Sequence, residues 1–171
     1  MKKNIVLIGF MGSGKTVVSR KIAAMTGYRA VDTDDMVEKK SRMKIKDIFA
    51  KYGERRFRDL ESRAAKKASS LRGAVIATGG GIIKRPENME ALAKTGFIVY
   101  LKNSFRTTYG RVKDDTNRPL FTRDNIVAFR KLFNKRVPVY KRYADFTVAT
   151  DRLGVEQVAR RIIKKAGMKI G

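Results

Sequence analysis

The chain has 171 residues, with 40 Lys or Arg against 16 Asp or Glu and a formal net charge of +24. That length suits one domain with a substantial core. Because the sequence holds no cysteine and no histidine, it excludes disulfides, thiol nucleophiles and imidazole bases or metal ligands, so acid–base work falls to Asp, Glu or Lys.

The first element is an apolar run from Asn4 to Ile8, read as a buried strand. It leads into Gly9-Phe-Met-Gly12-Ser13-Gly14-Lys15-Thr16, which has the spacing G-x-x-x-x-G-K-[ST] of a phosphate-binding loop. A helical pattern from Val17 to Met25 follows, so the motif has the strand before it and the helix after it that it needs. Lys2 and Lys3 ahead of apolar residues superficially resemble a secretory signal, but cleavage there would destroy this loop. The glycines let successive backbone N–H groups turn toward phosphate oxygens, and the helix adds the positive end of its dipole. Gly12, Ser13 and Gly14 are thus expected to cradle a nucleoside triphosphate, with Lys15 on the β and γ phosphates and the Thr16 hydroxyl on Mg²⁺.

Further short apolar runs fall at Arg29 to Val31, Ala74 to Ala77, Phe97 to Leu101 and Phe146 to Val148, with helical patterns between them. Pro86 suits a helix first turn, Ser104 an N-cap, and Gly154 the opening of a last amphipathic helix with Val155, Val158, Ala159 and Ile162 on one face. Strands alternating with helices predict an α/β fold with a parallel sheet covered on both faces. Ligands in such sheets sit beyond the carboxyl ends of the strands.

Those strand ends carry the chemistry. The second gives Asp32-Thr33-Asp34-Asp35 and the third gives Thr78-Gly79-Gly80-Gly81, without the aspartate that many ATPases place there for Mg²⁺. Asp32 is the natural substitute. Asp32 and Asp34 can serve metal and acceptor hydroxyl, or one of them can simply cap a helix starting near Asp35. Arg58 and Glu61 stand one helical turn apart, where the carboxylate can hold the guanidinium, although the pair taken alone more often means a surface ion pair. Gly79, Gly80 and Gly81 present backbone at close range. Arg118, in Asn117-Arg118-Pro119-Leu120, suits a loop that closes over a transferring phosphoryl group, and Arg58 with Arg136 suits bidentate capture of a carboxylate. No Asn-Lys-x-Asp motif for guanine is present, so a small-molecule kinase is favoured over a GTPase switch.

With Phe57-Arg58-x-x-Glu61, Gly79-Gly80-Gly81, Arg118-Pro-Leu120 and Arg136-x-Pro-x-Tyr140 added to the phosphate loop and Asp32-Thr-Asp34, the chain resembles shikimate kinase over nearly its whole length. The resemblance implies ATP- and Mg²⁺-dependent phosphorylation of the 3-hydroxyl of shikimate by a monomer in the cytoplasm. It also implies a three-layer sandwich around a five-stranded parallel sheet of the nucleoside monophosphate kinase type. One domain over 1–171 would carry a substrate-binding region near 33–61 and a lid near 112–124. By that similarity Asp32 approaches the metal, Asp34 the reacting hydroxyl, and Arg58, Arg136 and the backbone of Gly80 and Gly81 the substrate. Glu61 braces Arg58, Arg118 belongs to the lid, and Arg111 and Arg152 flank adenine. Arg42 stands where the family commonly has glycine, Phe121 where a second leucine is usual, and Arg142 where glutamate is frequent.

Two other readings use the same residues. Another kinase of this fold, such as gluconate or nucleoside monophosphate kinase, would share the loop. An ATP-binding nucleic-acid module would use the +24 charge, but the basic residues are spread along the chain without interleaved aromatics, so no specific nucleic acid is expected, and with no apolar run of membrane-spanning length no membrane partner is expected either.

Overall fold

A computed structural model describes residues 4–112 and 125–171. The sheet comprises β1 (Asn4–Ile8), β2 (Arg29–Asp32), β3 (Ala74–Ala77), β4 (Gly96–Lys102) and β5 (Phe146–Ala149). Its order is β2-β3-β1-β4-β5 with every pairing parallel. Seven helices connect or flank these strands among the described residues: α1 (Lys15–Thr26), α2 (Thr33–Ser41), α3 (Ile45–Ser69), α4 (Pro86–Thr95), α5 (Phe105–Val112), α6 (Ile126–Tyr143) and α7 (Val155–Lys165). The five strands read from apolar runs match in place, with ends that move by at most one residue where pairing extends past the apolar run.

Each residue of β1 is buried, because helices cover both faces of a parallel sheet. Alternate side chains serve opposite layers. Ile5 and Leu7 pack with Val18 and Ile22 of α1 and Val158 and Ile162 of α7. Val6 and Ile8 pack with Ala65 and Ala68 of α3, Met89 and Leu92 of α4, and Phe129 and Phe133 of α6. A smaller core of Val37, Ile48, Phe57 and Ala64 joins α2 to α3.

The helix ends follow local chemistry. Pro86 is the first residue of α4, and the Ser104 hydroxyl accepts from Thr107 N at 3.2 Å ahead of α5. The Gln157 side chain accepts from Gly154 N at 2.9 Å at the start of α7. Two features were not legible in sequence. Helix α3 breaks at Gly53, where φ 74 and ψ 175 are non-helical, so the stretch from Glu54 onward leaves at a new angle. Pro138 lies inside α6, which nevertheless continues to Tyr143.

The register places Asp32 beside Ala77. Asp32–Asp34 and Thr78–Gly81 therefore leave adjacent strands side by side at the carboxyl edge, next to the loop that follows β1. No helix among the described residues is long and apolar enough to cross a membrane.

Arg42 ends α2 with φ 53, the one non-glycine residue of positive φ among those described. Glycine takes this left-handed conformation without steric cost, whereas a side chain adds roughly 1–2 kcal/mol. Arg42→Gly is expected to raise unfolding free energy by about 0.5–1 kcal/mol, after the larger entropy of an unfolded glycine is subtracted. Urea denaturation measures this, and an unchanged or lower midpoint would contradict it.

Candidate active site

The loop between β1 and α1 turns on Gly9, Gly12 and Gly14, with φ of 151, 74 and 89. A Cβ on Gly9 would stand 2.8 Å from Leu101 O and 2.9 Å from Ser13 Oγ. Gly14 caps α1 without a side-chain hydrogen bond, so the first-turn N–H groups of the helix remain available to an anion. Lys15 is buried, and its Nζ donates to Gly9 O at 2.9 Å, Phe10 O at 2.8 Å and Ser13 Oγ at 3.2 Å. Its ammonium therefore lies inside the loop, where phosphate oxygens would exchange with these acceptors.

Asp32 caps α2 and also meets Thr16. Its Oδ1 accepts from Asp34 N at 2.9 Å as the N-cap of α2, and its Oδ2 accepts from Thr16 Oγ1 at 2.7 Å. Helix α2 accordingly begins at Thr33, two residues before the expected start at Asp35. The Thr16 and Asp32 oxygens form a small hard-donor pair. No cluster of three or more Asp and Glu that could hold a metal by itself exists among the described residues. Mg²⁺, which retains waters and takes most remaining ligands from phosphate, needs only such a pair, so these residues fit it.

A cleft of about 440 Å³ runs past these groups, and Gly12, Lys15, Thr16, Asp32, Asp34, Gly79, Gly80 and Arg111 are among its lining residues. Arg111 Nη1 donates to Gly12 O at 3.0 Å across the loop. Arg152 is exposed in the turn after β5 and is not among the residues lining the cleft. Arg118, Phe121 and the span 113–124 of the expected lid lie outside the described residues.

Gly79 and Gly80 in the cleft wall and Gly81 after them form a bare strip of backbone. A Cβ at Gly79 would stand 2.7 Å from Asp34 Oδ1 and 3.0 Å from Glu61 Oε1, and one at Gly81 would overlap the Arg58 guanidinium. The Gly79 N–H donates to Thr33 Oγ1 at 3.2 Å, so that amide is anchored rather than offered to the cleft. Arg58 Nη1 donates to Glu61 Oε2 at 2.7 Å with both side chains buried. The surface ion pair that the spacing alone allowed is therefore a buried one. Arg136, also buried, reaches Gly80 O at 3.4 Å and lies 5.6 Å from the centroid of the Phe10 ring. The Tyr140 hydroxyl donates to the same carbonyl, and its ring stacks on Tyr100 at 5.3 Å. Sequence reading named Tyr140 only as part of a motif; its position one turn after Arg136 was the available signal.

Burial pushes the Glu61 carboxyl above the usual carboxylate range, against the lowering influence of Arg58, Arg136 and Lys84. Burial likewise raises the Tyr140 phenol, which stays a hydrogen-bond donor at neutral pH. Of the two family departures within described residues, Arg42 is the left-handed cap above. Arg142 is exposed and its guanidinium lies 5.2 Å from the Tyr143 ring centroid, outside the buried cluster.

The shikimate kinase family model matches residues 11–167. A shikimate kinase of Thermodesulfovibrio yellowstonii is 46% identical over 164 residues, covering 95% of this chain and 94% of that protein. The chain belongs to the shikimate kinase family. Shikimate kinase from Acinetobacter baumannii in complex with shikimate superposes with a TM-score of 0.92 at 35% identity, covering 96% of this chain and 92% of that one. Shikimate kinase from Aquifex aeolicus superposes at 0.85 with 32% identity, covering 96% of each. Membership in this shikimate kinase family makes the chain an ATP-using kinase, and its five-stranded parallel sheet is the one these structures share.

Glu61 offers a pH test of the site. A carboxyl raised in the folded state binds more protons there than in the unfolded chain, so its contribution is fully present below the unfolded value near 4.5 and is lost as pH rises through the folded value. The stability difference between wild type and Glu61→Gln is expected to move in the variant's favour between pH 4.5 and neutrality, read from urea midpoints of both proteins. Movement toward wild type would mean that Arg58 outweighs burial.

Proposed function

We propose that this protein transfers the γ-phosphoryl group of ATP to the 3-hydroxyl of shikimate, giving shikimate 3-phosphate and ADP. One observation carries the reading beyond family membership: the cleft that holds Lys15, Thr16 and Asp32 also holds Asp34 and runs to the strip of glycines backed by Arg58 and Arg136. This arrangement supports a phosphate end at the loop and a carboxylate end at the arginines, with Asp34 as the acid–base group between them.

In this reading the amides of the Gly12–Gly14 turn and Lys15 bind the phosphates, and Arg111 with Arg152 flanks the adenine. Thr16 and Asp32 would hold Mg²⁺, which neutralises charge on the β and γ phosphates when bound. Arg58 and Arg136 take the shikimate carboxylate, with Glu61 holding Arg58 and the backbone of Gly79, Gly80 and Gly81 lying against the ring. The 3-hydroxyl oxygen attacks the γ phosphorus, the bond from that phosphorus to the β–γ bridging oxygen breaks, and the hydroxyl proton passes to Asp34. The transition state is loose, so the protein's work is alignment and charge neutralisation. Arg118 would add neutralising charge from the lid. The substrate-binding region spans about 33–61 within a single domain, which acts as a cytoplasmic monomer.

The test is ADP release from ATP and Mg²⁺ with shikimate, quinate, gluconate and nucleoside monophosphates as alternative acceptors. Stimulation by shikimate is expected, and stimulation by gluconate alone would transfer the assignment to that kinase. Asp34→Asn should lower turnover by about 10²- to 10⁴-fold, the range for a lost general base, while the ATP dissociation constant stays within about twofold by direct titration. A large selective loss of ATP affinity would contradict the role given to Asp34.

A further inference from the structure

Arg58 is held from two sides by two different carboxylates. Glu61 takes Nη1 from within the protein. Glu54 takes the opposite side: Nε and Nη2 both point at its Oε1, at 3.1 and 3.0 Å. The same Oε1 accepts from Lys84 Nζ. The two acids differ in setting. The Glu61 side chain is 1% exposed and that of Glu54 39%, against 8% for Arg58. Glu54 is the first residue after the Gly53 break in α3. Lys84 closes the short 3-10 turn Ile82–Lys84 that follows the three glycines.

A guanidinium grips a carboxylate in parallel through an edge made of two nitrogens. Glu54 covers the Nε–Nη2 edge with a carboxylate of its own chain, the chemical group that an anionic acceptor would bring to Arg58. A helix pair one turn apart on an exposed surface would be worth little. Here the arginine is buried, and a lysine from a separate element converges on the same oxygen. If Arg58 releases Glu54, Lys84 remains to hold it. Among the described residues Glu54 therefore has two cationic partners, one at the substrate end and one at the rim.

We propose that Glu54 is a resident carboxylate that competes with the acceptor's carboxylate for Arg58, and that Lys84 sets the strength of this competition by drawing Glu54 away. Both are affinity-determining residues rather than catalytic ones. The inference rests on the reading of Arg58 as the anchor of the shikimate carboxylate.

The experiment is calorimetric titration of shikimate, and of its uncharged carboxamide, into wild type, Glu54→Gln, Lys84→Met and the double variant. Removing the competitor is expected to tighten shikimate binding about fivefold, the change one partly screened ion pair produces, and to leave carboxamide binding within about twofold. Lys84→Met is expected to weaken shikimate binding about threefold in wild type and by less in the Glu54→Gln background. Weaker shikimate binding by Glu54→Gln would make Glu54 a brace and overturn the proposal, as would an equal effect of Lys84→Met in both backgrounds. If wild type binds no shikimate, the reading of the site itself fails; if it binds and Glu54→Gln binds no tighter, only this inference fails.

Discussion

The site depends on a stretch of chain that carries no side chains. Gly79, Gly80 and Gly81 leave β3 between the phosphate loop and α3, and atoms from several elements crowd the space that β-carbons would take: Asp34 and Glu61 at Gly79, Met11 N at 3.2 Å from a Cβ placed on Gly80, and Arg58 at Gly81. These glycines are not required by positive φ; they are required by close approach. The strip also supplies the Gly80 carbonyl on which Arg136 and Tyr140 converge, so it orders the cations behind it as well as the carboxylates in front.

Around that strip the protein buries charge that would be costly alone. An isolated buried guanidinium or carboxylate is strongly unfavourable, and only good geometry with further hydrogen bonds offsets the desolvation. Arg58 meets this with Glu61 inside and Glu54 at the rim. Glu61 Oε1 is buried with no hydrogen-bond partner among the described residues, a local deficit next to Gly79. Polar groups left incompletely matched inside a cleft are consistent with a surface arranged for a ligand.

Much of this was legible in the sequence because its determinants are local. A phosphate loop needs its strand, its glycines and its helix consecutively, and all lie within Asn4–Thr26. Buried parallel strands announce themselves as apolar runs, and Pro86 and Ser104 mark helix starts by their own chemistry. The pairings that depend on tertiary approach were not legible. Asp32 could be read as cap or metal-side group, and its hydrogen bonds to both Asp34 N and Thr16 Oγ1 appear only once the strands are placed together. Lys84 and Glu54 meet across 30 positions of sequence, and nothing in either neighbourhood signals the other. Arg42 was noticed as a departure from glycine, but its φ of 53 supplies the physical reason. The basic excess is distributed over the outer faces of α3, α6 and α7, at exposed residues such as Arg55, Lys131 and Arg161.

Bare backbone at residue 81 gives the Arg58 guanidinium its place. Titration of shikimate into wild type and Gly81→Ala, with ATP affinity measured on the same samples, tests it most directly. A weakening of shikimate binding by about tenfold or more, the scale expected when a binding group is displaced by about an ångström, with ATP affinity unchanged, is the predicted result. Equal shikimate affinity in the two proteins would contradict it.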